Sequence, residues 1–209
     1  MKTLLQIRSS IFSDNGQSSQ LANRFVEQWR EANPRGKIVV RDFATAPIPH
    51  LDAGRFGAFL SKPETRTAEQ TAVIGYSDAL IRELKDADVV VIGLPMYNFG
   101  IPSTLKAYFD HIARAGVTFR YTEKGPVGLL TGKQVLVFAA RGGLYAGTPK
   151  DTQTSYVRDF LGFLGMTDIE FIYAEGLAIS AESKDASLSK AHAQIDSHRA
   201  RLDAPAFAA

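Results

Sequence analysis

Short apolar runs rich in Val and Ile alternate along this chain with longer segments of helical period. Extended runs without polar alternation are buried on both faces, and helices between them carry the chain back. This predicts an α/β sandwich built on a parallel sheet. The predicted strands are Lys2–Ile7, Lys37–Asp42, Asp88–Leu94, Gln134–Ala140 and Asp168–Tyr173. Between the first two, Leu21, Phe25, Trp29 and Ala32 recur every third or fourth residue, predicting a helix that stops near Asn33-Pro34. Thr67-x-x-Gln70 predicts a capping box, with Val73, Tyr76, Leu80 and Leu84 following on one face. Shorter helices are expected after Pro102 (Leu105, Tyr108, Phe109, Ile112) and from about Thr154 (Val157, Phe160, Leu161, Leu164). A weakly amphipathic one is expected over Ser187–Arg201, and the tail Asp203–Ala209 is expected to fray.

Two stretches break the alternation. Arg41–Arg66 carries three prolines and two glycines and reads as a long connection, which in a compact domain is more often functional than idle. Val117–Leu130 alternates apolar and polar residues around Gly125-Pro126 and reads as an inserted β-hairpin. No internal repeat or linker composition divides the chain, so a single domain over 1–209 is expected.

Composition removes several classes of function. With 24 Lys+Arg against 22 Asp+Glu, the formal net charge is +2, too small for the electrostatic footprint of a nucleic-acid binder. The absence of cysteine excludes disulfides, thiolate nucleophiles, iron–sulfur clusters and Cys-ligated zinc, so any redox chemistry must come from a bound organic cofactor. The apolar start Met1–Ile7 is broken by Gln6 and Arg8 and is too short for a signal peptide or membrane span; a cytoplasmic protein is expected. No HExxH or paired-carboxylate spacing suggests a metal, and no G-x-S-x-G suggests a serine hydrolase. His50, His111, His192 and His198 read as surface or packing residues.

In an open parallel sheet, ligands bind beyond the carboxyl ends of the strands where strand order reverses, which singles out three loops. Arg8–Ser19 is dense in hydroxyls and runs into a helix, whose N-terminus favours an anion such as phosphate; helix capping alone would also explain its serines. It lacks both G-x-x-x-x-G-K-[ST] and G-x-G-x-x-G, excluding a triphosphatase P-loop and the dinucleotide fingerprint. Pro95–Pro102 presents Met96, Tyr97 and Phe99 with the Asn98 amide on a stiff backbone, suited to a flat aromatic heterocycle. Ala140–Gly147 offers adjacent glycines whose N–H groups a ligand could approach closely.

Pro95-Met96-Tyr97-Asn98-Phe99, the block Ala113–Glu123, Arg141-Gly142-Gly143 and Phe160-Leu161-Gly162-Phe163 resemble FMN-dependent NADH:quinone oxidoreductases, also called azoreductases, in order from Leu4 to about Arg199. The resemblance implies a flavodoxin-like three-layer sandwich with strand order 2-1-3-4-5 and helices on both faces. It implies a homodimer with two flavin sites at the interface. FMN phosphate is expected on Ser10, Gly16, Gln17 and Ser18, and the ring on Met96, Tyr97, Asn98 and Phe99 with Ala140, Arg141, Gly142 and Gly143. Tyr121 and Phe163, with Phe99, match the family's substrate pocket. Gly16 and Ala140 stand where the family often carries serine, and Arg55–Arg66 matches least.

The expected cycle is ping-pong: NADH or NADPH passes hydride to FMN, leaves, and a quinone or azo compound takes its place. The amides of Gly142 and Gly143, with Arg141 beside them, are expected to stabilise the anionic edge of the reduced ring, and no protein residue is expected to act as catalytic base. Two rivals are a one-electron carrier of flavodoxin type, disfavoured by the basic pI of about 8.8, and a flavin-free binding module on the same fold.

Overall fold

The structure, a computed structural model, describes residues 1–202, with side chains to His198. The tail Asp203–Ala209, expected to fray, lies outside the described residues. The elements run β1 (Thr3–Arg8), α1 (Gln17–Ala32), β2 (Lys37–Asp42), α2 (Ala53–Leu60), α3 (Ala68–Asp86), β3 (Val89–Pro95), α4 (Ser103–Ile112), β4 (Phe119–Thr122), β5 (Gly125–Gly128), β6 (Gln134–Ala140), α5 (Thr154–Phe163), β7 (Asp168–Ala174) and α6 (Ala181–Leu202). Five parallel strands form one sheet in the order β2-β1-β3-β6-β7, which is 2-1-3-4-5 when only these strands are counted, as expected. The fold is flavodoxin-like, and β4–β5 form a separate antiparallel hairpin within the predicted Val117–Leu130.

Side chains alternate across the sheet. Leu4, Val89, Val91, Leu136 and Phe138 face α1 and α6, meeting Phe25, Trp29, Ala191 and Ile195. Leu5, Val90, Ile92, Val135 and Val137 face the other way, onto Leu80 and Leu84 of α3, Phe109 of α4 and Val157 of α5. The central strand β3 is buried at every residue, as a strand covered on both faces requires. α1 stops at Asn33 before Pro34, and the Thr67–Gln70 capping box opens α3 with both reciprocal bonds made.

Two elements depart from the sequence reading. The Arg41–Arg66 connection contains α2, capped by Asp52 Oδ1 accepting the Arg55 N–H at 2.8 Å. Gly54 and Gly57 hide so short a helix, because glycine weakens helical propensity and leaves few positions to show a period. α6 begins at Ala181 rather than near Ser187, its first turns being too polar to reveal an apolar face.

One close approach positions the functional end. A Cβ on Gly93 of β3 would lie 3.2 Å from the Ser18 carbonyl oxygen, so glycine lets the N-terminus of α1 press against the carboxyl end of the central strand.

Candidate cofactor site

β1 delivers the chain to the first loop, where Ser9 Oγ donates to the Gly93 carbonyl at 2.6 Å and ties the loop to β3. A short 3-10 turn over Ser13–Asn15 leads to Gly16, the N-cap of α1, which has no side chain to cap with. The first-turn N–H groups of α1 are therefore left over by helix geometry. Beside them the hydroxyls of Ser18 and Ser19 are buried and make no hydrogen bond among the described residues. An unsatisfied buried hydroxyl costs about 1–3 kcal/mol, and two at one helix N-terminus mark a place prepared for an anion. A Cβ on Gly16 would overlap Ser10 Oγ, so the Ser10 hydroxyl occupies the space a side chain at position 16 would need. That hydroxyl accepts from the Phe12 N–H at 3.2 Å and lies 3.3 Å from Tyr97 Oη.

Tyr97 joins the first loop to the second: its Oη also accepts from the Ile11 N–H at 3.2 Å. From Tyr97 the backbone folds into a tight turn closed by reciprocal bonds between Tyr97 and Gly100, at 3.1 and 2.9 Å. Asn98 and Phe99 occupy its two central positions with φ of 50° and 62°. Neither is glycine, and a Phe in the left-handed region stores strain of about 1–3 kcal/mol, a feature that clusters at ligand sites. The turn lifts Asn98 and Phe99 into solvent at the rim.

The third loop leaves β6 through Ala140. The Arg141 guanidinium is fully buried and surrounded: it donates to Asp151 at 2.9 Å, Glu175 at 3.1 Å, Gln153 at 3.1 Å and Thr154 at 3.2 Å, and stands over the Tyr173 ring. Glu175 in turn accepts the N–H groups of Tyr145 and Ala146, which offsets the second carboxylate. Burial alone would raise the Asp151 pKa, but hydrogen bonds from Arg141 and Thr154 outweigh it and hold the carboxyl below its ordinary value.

The Arg141 charge is thus spent within the protein. The Arg141 backbone N–H is donated to the Ala174 carbonyl, so what Arg141 gives the site is backbone position. Gly142 and Gly143 follow with N–H groups that have no acceptor among the described residues.

The three loops converge. One cleft of about 180 Å³ is lined by Ser10, Phe12, Gly16, Gln17, Ser18, Pro95, Met96, Tyr97, Ala140, Arg141, Gly142 and Leu177. Phe12, within the first loop, and Leu177 add to the expected contacts; Leu177 lies after β7, outside the three loops that the sequence singles out. Asn98, Phe99 and Gly143 stand beside this lining rather than in it. Tyr121 and Phe163 lie elsewhere on the chain, both against Phe119, at ring distances of 5.4 and 4.4 Å, and Tyr121 is 74% exposed. Larger hollows, of about 500 and 530 Å³, lie at the amino ends of the strands and beside α2. The first is bordered by Lys133, whose amine is committed to the Lys85 and Ala87 carbonyls, and neither lies at the strand-order reversal. Among the described residues no cluster of His, Asp and Glu could hold a metal, and no helix is long and apolar enough to cross a membrane.

A sheet of this order with its cleft at the reversal point defines a class, and the family model described as flavodoxin-like fold matches residues 1–199. The chain belongs to that family and, within it, to the FMN-dependent NADH:quinone oxidoreductases. It is 61% identical over 196 residues to the FMN-dependent NADH:quinone oxidoreductase of Cellvibrio japonicus, covering 94% of this chain and 98% of that one. It is 56% identical to FMN-dependent NADH:quinone oxidoreductase 6 of Burkholderia lata, covering 93% and 98%. Among solved structures, the FMN-dependent NADH-azoreductase of Bacillus anthracis in complex with FMN superposes with a TM-score of 0.88 at 28% identity, over 98% of this chain and all of that one.

Proposed function

We propose that this chain is an FMN-dependent NADH:quinone oxidoreductase with azoreductase activity, and that residues 1–209 act as one FMN-binding domain. The observation that carries this reading is the buried, unbonded Ser18 hydroxyl at an uncapped helix N-terminus lining the cleft. A phosphate there would accept from the Ser18 hydroxyl and from the first-turn N–H groups, matching the orphaned donors with acceptors. Gln17 and Ser10 border the same pocket. The residues present therefore fit FMN.

When bound, FMN supplies the redox chemistry, taking two electrons as hydride from NADH, the donor in the relatives' name, and returning them to a quinone, or to an azo bond over two cycles. The chain's part is position and electrostatics. Met96 and Tyr97 provide one wall for a flat ring, with the strained turn at Asn98-Phe99 beside it at the rim. The N–H groups of Gly142 and Gly143 provide donors for negative charge on the ring's edge. Their readiness does not depend on a side chain swinging in, because the Arg141–Asp151–Glu175 cluster fixes the loop from behind.

The cleft of one chain is smaller than the ~300–1,000 Å³ usual for ligand pockets, and large apolar side chains stand exposed near its loops: Ile11, Phe12, Phe99 and Leu144. Both features support a homodimer in which a second copy covers the ring, with Tyr121 and Phe163 facing the partner's cleft. The test is reconstitution. The purified protein should retain FMN, seen as flavin absorbance, sediment as a dimer, and oxidise NADH when a quinone is supplied. Protein that takes up no FMN on incubation would refute the reading.

A further inference from the structure

Gln153 belongs to no motif and does not line the cleft, yet its side chain connects the two loops that border it. It is completely buried, just ahead of α5. Its Oε1 accepts from Arg141 Nε at 3.1 Å, while Nε2 donates to the Pro95 and Gly100 carbonyls, both at 2.9 Å. Both amide hydrogens are used, and their acceptors bracket the 96–99 segment, one at each end. The Oε1 bond fixes the amide to the residue that begins the Gly142-Gly143 loop. One side chain therefore ties together the two ring-facing segments, beside the Met96 N–H bond to the Ala140 carbonyl at 3.1 Å.

That brace falls where backbone strain needs holding. Left-handed Asn98 and Phe99 persist only if their surroundings over-determine them. Thr152, next to Gln153, donates its hydroxyl to the Phe99 carbonyl, and the Tyr145 ring meets Phe99 edge-on at 5.6 Å. Residues 145–153 thus grip the turn from one side, with Gln153 at the buried end, while Tyr97 is held from the other by the first loop.

We propose that Gln153 is a positioning residue for the cofactor: without touching the ring, it fixes the 96–99 turn relative to Gly142-Gly143 and so sets FMN affinity and the asymmetry of the flavin's surroundings. This rests on the FMN reading above. A side chain with fewer donors would free one end of the turn and strand a buried carbonyl. A role confined to filling the core would change stability and leave the flavin's environment alone.

The experiment compares wild type with Gln153→Leu, similar in volume without the bonds, and with Thr152→Val, which alters an exposed hydroxyl. Three quantities are measured: the FMN dissociation constant by quenching of flavin fluorescence, the visible circular dichroism of bound FMN, and the thermal midpoint of FMN-free protein. Gln153→Leu should raise the dissociation constant about tenfold or more and alter the flavin dichroism, and Thr152→Val should move both in the same direction by less. Wild-type constants and dichroism in both variants, whatever their midpoints, overturn the proposal; if Gln153→Leu does not fold, the same result for Thr152→Val alone overturns it. Wild type that binds no FMN overturns the functional reading and this proposal together, whereas wild type that binds it beside unaffected variants overturns this proposal only.

Discussion

At the scale of single residues, the anion site makes a prediction in which stability and affinity move in opposite directions. Ser18 Oγ is buried without a partner, so Ser18→Ala removes a polar group the FMN-free fold does not use. The midpoint of FMN-free protein should stay level or rise slightly, while FMN affinity falls by about 1.5–3 kcal/mol, the worth of a hydrogen bond to a charged group. Titration with FMN beside thermal unfolding checks both. Unchanged affinity would mean that the phosphate does not reach Ser18. The same scale shows where sequence reasoning stops. Ser10, Gly16 and Ser18 were legible because hydroxyls and glycine before a helix have a chemical meaning wherever they occur. Gln153 and Glu175 carry no such sign: they matter because Arg141, 12 and 34 residues away, is buried and needs partners. The one available signal was Arg141 itself, a charge between a core strand and a glycine pair.

Among elements, the tight turn after β3 separates two roles for Asn98. Its φ of 50° is tolerable for Asn, free for glycine, and costs alanine about 1 kcal/mol. Asn98→Gly is thus the clean probe: the FMN-free midpoint should hold, and FMN binding should weaken if the amide addresses the ring. Asn98→Ala should lower both. Equal FMN affinity in wild type and Asn98→Gly would take the side chain out of the site. A second element-level prediction concerns α2, the helix its glycines concealed. Buried His111 on α4 anchors it, donating from Nε2 to the Pro49 carbonyl at 3.0 Å, with Phe59 and Tyr76 edge-on to the ring. Burial lowers the His111 pKa and outweighs the Pro49 carbonyl, which raises it; Arg55 adds to the lowering, and Asp110 and Asp52 oppose it. A proton would have to sit on Nδ1, which is buried without an acceptor. With the folded pKa below the ordinary 6.5, the stability tied to neutral His111 is complete above that pH and is lost as pH falls through the folded value. Between about pH 7 and pH 5 the wild-type midpoint should therefore fall more steeply than that of His111→Phe. Parallel slopes would show that His111 is not the group responsible.

For the whole molecule, the five strands and the helices between them follow from the sequence because alternation and burial are local and repeated, whereas the strand order comes from the family resemblance. The placement of Tyr121 and Phe163 depends instead on what the hairpin packs against. Within one chain they cluster on Phe119, held where Gly128 of β5 meets the Gly165 backbone and the Leu130 N–H reaches the Leu164 carbonyl at 2.8 Å. A pocket role for them requires a second copy, and a two-fold dimer makes that requirement testable. If Tyr121 serves the partner's cleft, Ser18→Asp spoils a chain's own site and Tyr121→Asp spoils its partner's. Co-expression of the two variants with different tags, followed by isolation of the mixed dimer, leaves one site carrying both defects and one carrying neither. The mixed dimer should recover about half the wild-type quinone reductase activity per dimer while each parent has little. If Tyr121 acts within its own chain, each site in the mixed dimer bears one defect and activity stays at the parental level. That result would remove the hairpin from the partner's pocket and leave the 180 Å³ cleft to be closed by some other surface.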